Sequence, residues 1–140
     1  MKTILLAFHL MAVATGTGMS IANYVNIRIA SGEKGDRRAS LVYLRRVLGR
    51  FADVVIAAIF ATGLALYFVI PDTEEPNGWI MALLASAAIL LACHVGARFT
   101  ANRMAATNDD SLYPRMEMLV SGVWLNALLC IVFAVLAFET

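Results

Sequence analysis

Residues 45–70 read RRVLGRFADVVIAAIFATGLALYFVI, and this stretch decides the fold. Arginine fills half of its first six positions, and Asp53 is the one charged residue in the run that follows. About 20 apolar residues are needed for a helix to cross a hydrocarbon core of roughly 30 Å, and 51–70 meets that length. Working outward, three further windows share the property, at 4–27, 78–97 and 118–138. Between them lie a basic segment (28–50), an acidic turn (71–77) and a polar stretch (98–117). The turn, with PDTEEPNG at 71–78, carries two prolines and a glycine, residues that end helices and reverse the chain. The expectation is one all-α domain spanning 1–140, an integral membrane four-helix bundle.

Composition agrees. Of 140 residues, 61% are hydrophobic and 15% charged, against roughly 45–50% and 25% in soluble domains. A domain this small has too little interior to hide so much apolar surface, so the excess faces lipid or other subunits. A net charge of +1 supplies no basic face for nucleic acid, and two cysteines do not make a disulfide framework.

The basic residues are sorted. Arg28, Lys34, Arg37, Arg38, Arg45, Arg46, Arg50, Arg98, Arg103 and Arg115 all fall in the first and third inter-span segments or their flanks, and Lys2 alone lies on the other side. The positive-inside rule puts the two basic segments in the cytoplasm and both termini outside, in a bacterial inner membrane. Lys2, the apolar run from Ile4 and the Ala12-Val13-Ala14 triplet also fit a cleaved signal peptide. Apolar character continues to Ile27, however, and the dominant positive charge follows the segment, which favours a retained first span.

Polar side chains inside spans are costly and mark function or helix contact. At 1.5 Å per residue, His9 lies roughly 8 Å below the outer boundary and His94 roughly 24 Å below it. The two cannot ligate one haem from opposite faces. His94 shares its depth with Asp53, Asn23 and Asn26, and Asp53 is placed to accept a hydrogen bond from it, with Arg50 or Arg98 at hand. This inner cluster reads as a clamp on helix ends, or as a group that orients a quinone head or relays protons. His9 has no carboxylate at its depth, and a neutral imidazole there suits haem iron or another metal, or a hydrogen bond to the backbone. Gly16 and Gly18 sit on adjacent stripes of small residues, Ala12-Gly16-Ser20 and Ala14-Gly18-Ala22, which let another helix approach or leave room for a flat ring. Asn126, near the midplane, is expected to bond across helices. Cys93 and Cys130 differ in depth by about 10 Å and read as free thiols. The seven methionines have no spacing that indicates a copper path.

FHLMAVATGTG (8–18), RRVLGR (45–50), ATGLALYF (61–68) and GWIMALLASAAILLACH (78–94) together resemble the HemJ-type protoporphyrinogen oxidases and their CopD-like relatives. The resemblance covers nearly the whole chain through short, mostly apolar motifs. It implies a four-helix membrane protein with haem b held by His9 and by a helix-three lysine. That lysine's position falls at Leu83, which cannot ligate iron, and no lysine occurs in the third span. Two readings follow. The first is a non-catalytic accessory subunit of a larger respiratory or photosynthetic membrane complex, on the family's scaffold. The second is a haem-b redox protein with His9 as axial ligand and Gly16 and Gly18 giving the ring room.

Overall fold

The computed structural model describes residues 2–69 and 78–139, and they form four long helices. Helix α1 runs Lys2–Gly32, α2 Gly35–Val69, α3 Gly78–Thr107 and α4 Tyr113–Glu139, with a short 3-10 turn at Asp110–Leu112 before α4. All four are long and apolar enough to cross a membrane. The architecture is the expected all-α four-helix bundle. The acidic turn at 71–77 lies outside the described residues.

The helices are longer than the spans. At 1.5 Å per residue, the 31 residues of α1 and 35 of α2 extend about 46 and 52 Å, well beyond a hydrocarbon core of roughly 30 Å. The segments at 28–50 and 98–117 are therefore helical extensions, and little non-helical chain remains between them. Hydropathy marks where lipid begins, whereas a helix stops only where its backbone is made to turn. Between α1 and α2 the turn is Glu33–Lys34 followed by Gly35, at φ +61°, a left-handed conformation that costs other L-residues roughly 1–2 kcal/mol. Asn108 ends α3 at φ 49°, with its N–H on the Met104 carbonyl at 2.9 Å. Asparagine is among the few side chains that tolerate this position. Asp109 then caps the 3-10 turn by accepting from the Ser111 N–H at 2.9 Å.

Three helix pairs pack closely: α1 on α2, α3 on α4 and α1 on α4. The fourth seam, α2 to α3, is closed chiefly by side chains. Gly16 lets α2 approach α1, and a Cβ there would stand 3.1 Å from both Val55 and Ile59. Gly122 and Gly96 do the same between α3 and α4, against Cys93 and Leu119.

The core lies toward the basic end, where the two extended hairpins meet. Ile27, Ala30, Ala97, Met104, Tyr113, Met116 and Val120 form one buried cluster. Around it Arg28 pairs with Glu117 at 2.5 Å, tying α1 to α4. Arg38 forks onto Asp110 and lies over the Tyr113 ring, 5.1 Å from its centre. The half that holds the termini differs. None of the residues 3–16, 57–66, 78–85 or 128–136 is buried, and Phe8, Leu10, Leu64, Met81, Leu84 and Val132 stand exposed.

Candidate functional site

The expected inner cluster forms in part. Asp53 on α2 accepts from His94 Nε2 on α3 at 2.8 Å through Oδ1. Its other oxygen pairs with Arg98 at 3.1 Å. Arg98 reaches Asp53 across Gly49, whose Cβ would stand 2.8 Å from the guanidinium. Depth matching found the His94–Asp53 pair, and Arg98 of the two flanking arginines completes it. This knot closes the α2–α3 seam, where the helix backbones are not packed. Asn23 does not join it by a hydrogen bond but lines the same cleft as His94. Asn26 is elsewhere: its Nδ2 donates to the Leu41 carbonyl at 3.0 Å, pinning α1 to the extension of α2.

His9 is held near the other end. Its Nδ1 lies 2.8 Å from the Thr62 hydroxyl, and that hydroxyl lies 2.7 Å from the Ala58 carbonyl. A hydroxyl has one proton to give. With that proton on the Ala58 or Ile59 carbonyl, Thr62 accepts from His9 Nδ1, the tautomer that leaves a lone pair on Nε2. The ring rests against Gly63, whose Cβ would stand 3.2 Å from Cε1. Sequence reading passed over Thr62, although its place in ATGLALYF and its depth near that of His9 were signals enough.

Two glycines of α1 below His9, Gly16 and Gly18, have different fates. At Gly16 the space is filled by Val55 and Ile59, whereas Gly18 has nothing within 4 Å of an added Cβ. Ala14, Gly18 and Ala22 are all exposed, so this second stripe faces away from the bundle. Leu83 is partly buried, and its carbonyl receives the Cys130 thiol at 3.9 Å. A haem therefore finds one nitrogen ligand at His9, a hydrocarbon side chain at Leu83, where the resemblance would place the second ligand, and no empty slot beside Gly16. The donor set does not fit a six-coordinate haem. Among the described residues no group of three or more His, Cys, Asp or Glu could hold a metal ion.

Most remaining polar side chains bond within their own helix. Thr17, Ser20 and Thr100 donate to the carbonyls four residues before them. Asn126 does likewise, its Nδ2 on the Gly122 carbonyl at 2.8 Å, which corrects the expectation of a bond between helices. Cys93 and Cys130 are free thiols, as their depths indicated.

Arg45 was read only for its charge and proves to be buried, 9% exposed. Its Nη1 points at the Met104 sulfur at 3.7 Å, and no carboxylate among the described residues lies within ion-pair distance of it. It lines a cleft of about 80 Å³ between all four helices, together with Arg46, Arg98, His94, Asn23 and Ser20. Asn23 Oδ1, Asn26 Oδ1 and Trp124 Nε1 are buried without a hydrogen-bond partner. No family model, curated protein or solved structure matches the chain.

Proposed function

We propose that the protein is a non-catalytic four-helix subunit of a larger membrane complex, built on a scaffold like that of the HemJ-type and CopD-like proteins. The observation that carries this reading is the use of its two histidines. His9 is bonded to Thr62 and joins α1 to α2, while His94 is bonded to Asp53 and joins α3 to α2. The side chains best suited to redox or proton chemistry are spent on fastening helices. Leu83 in place of a ligating lysine fits the same reading: the scaffold is kept and the second iron ligand is absent.

The basic end would face the cytoplasm of a bacterial inner membrane, since ten of the eleven Lys and Arg residues gather there. The half that holds the termini would meet lipid and neighbouring subunits. In hydrocarbon, apolar exposure carries no penalty, and association rests on packing and hydrogen bonds.

Purification from native membranes in a mild detergent tests this. The expected result is co-purification with other membrane polypeptides at a fixed stoichiometry that survives size-exclusion chromatography. A chain that elutes alone from membranes of its own host contradicts it. The rival reading, haem b on His9, rests on the lone pair at Nε2. It would show as a Soret band that His9→Ala removes.

A further inference from the structure

A buried cation without a counter-ion is expensive. Removing an ammonium or guanidinium from water costs several kcal/mol even after the protein relaxes, and buried charges are accordingly paired. Arg45 breaks this rule: it is 9% exposed, it meets a thioether, and it has no carboxylate partner among the described residues. Its neighbours deepen the anomaly. The cleft it lines also receives Arg46, Arg98 and His94, and among the described residues no Asp or Glu lines it. Asp53 sits beyond the wall, with His94 and Arg98 on its oxygens. Asn23, half-buried, adds an amide oxygen that is itself buried and unpartnered among the described residues, and turning that amide over would put a donor there.

We propose that this cleft binds a phosphate-bearing anion, with Arg45 as its principal partner and Arg46, Arg98 and Asn23 as supporting donors. The chemistry selects the class. Guanidinium groups form forked, charge-assisted hydrogen bonds to phosphate oxygens, and the absence of a lining carboxylate removes the group that would repel one. Size agrees. A cavity needs roughly 10–15 Å³ for each water, so about 80 Å³ takes a handful of heavy atoms, the scale of one phosphate group. Position agrees too. Arg45 lies six residues before the apolar run at 51–70, about 9 Å along the helix from its start, the level of a phospholipid headgroup. A wider groove of about 410 Å³, which Arg45 also lines, continues outward past Arg38, Arg46 and Tyr113. Asp110 lines that groove and is already held by Arg38. Asp109 lines it as well and is bonded to the Ser111 N–H. The phosphate can come from a lipid headgroup or from solution, and the test separates the two.

The full chain is placed in dodecyl maltoside micelles, which carry no phosphate, alone, with added phosphatidylglycerol, and with added inorganic phosphate against chloride at matched ionic strength. Its thermal unfolding midpoint is read in each. The midpoint should rise with phosphatidylglycerol if the source is a lipid headgroup, and with inorganic phosphate if it is the free anion. Arg45→Met should weaken binding roughly tenfold or more, the worth of a hydrogen bond to a charged group, and so abolish the rise. Arg103→Gln, at an exposed arginine outside the cleft, should keep it. No rise under either condition, or an equal rise in Arg45→Met, overturns the proposal. In the maltoside micelles with neither addition, Arg45→Met should unfold no lower than wild type, because it removes an uncompensated buried charge. An unfolding midpoint below wild type there contradicts the premise. Native mass spectrometry of the wild-type chain needs no variant: one retained phospholipid or phosphate per chain supports the site, and a bare chain overturns it.

Discussion

The two ends of this bundle are built by different rules. At the basic end Ile27 is 1% exposed and Met116 2%, and ion pairs such as Arg28–Glu117 ring the cluster. At the other end, residues 3–16 and 128–136 include none that is buried, and Phe8 and Val132 face outward. The difference follows the solvent. Where the helices leave lipid, water drives apolar side chains together as in any soluble core. Inside lipid that drive is missing, and helices stay together by small-residue contacts and a few hydrogen bonds. Gly16 against α2 and His9 on Thr62 are such contacts.

The contrast can be broken by substitution, and the largest effect belongs to the basic end. Ile27→Ala should cost about 2–5 kcal/mol, as large-to-small changes in a packed core do, while Leu10→Ala should stay within about 0.5 kcal/mol. Reversible unfolding in mixed micelles measures both, and equal costs would erase the distinction. Next come the glycines. Gly122→Leu should cost about 1–3 kcal/mol through overpacking against Cys93. Gly18→Ala, with open space around it, should gain up to about 1 kcal/mol of helix propensity.

Third are the polar fasteners. Asp53→Asn should cost about 1–2 kcal/mol, since it removes the carboxylate that accepts from His94 and pairs with Arg98, but at a partly exposed site. Thr62→Val should cost nearer 0.6 kcal/mol, the mean for hydrogen bonds between membrane helices. A double-mutant cycle of His9 and Thr62 isolates that bond. The smallest effect is electrostatic and lies in the turn. Ser111, through its side chain and its N–H, holds the Asp109 carboxyl below its ordinary value. A depressed carboxyl contributes stability that is complete above the unfolded-state value and is lost as pH falls through the folded one. Relative to its intrinsic exchange rate at each pH, the Ser111 amide should therefore lose protection on acidification, and in Asp109→Ala it should be unprotected at every pH.

The spans were legible because lipid imposes a length, and 51–70 meets it with Asp53 as its one charge. Helix ends were not. Hydropathy falls at Arg28 and Arg98, yet α1 and α3 continue to Gly32 and Thr107, because helical hydrogen bonding is indifferent to what surrounds it. The His94–Asp53 pair was legible from depth alone, since two helices bring equal depths together. Depth fixes height and not azimuth, which is why Asn26 turned out to bond Leu41, Asn126 its own helix, and Gly18 the outside. Arg45 was hidden for a related reason: charge counting sees a cation and cannot see that four helices enclose it.

The central claim is that the polar interior fastens helices and holds no chromophore. The absorption spectrum of the protein purified from haem-replete cells tests it most directly. The account predicts no Soret band, and the same spectrum from His9→Ala. A Soret band in the wild type that is lost in His9→Ala would contradict it.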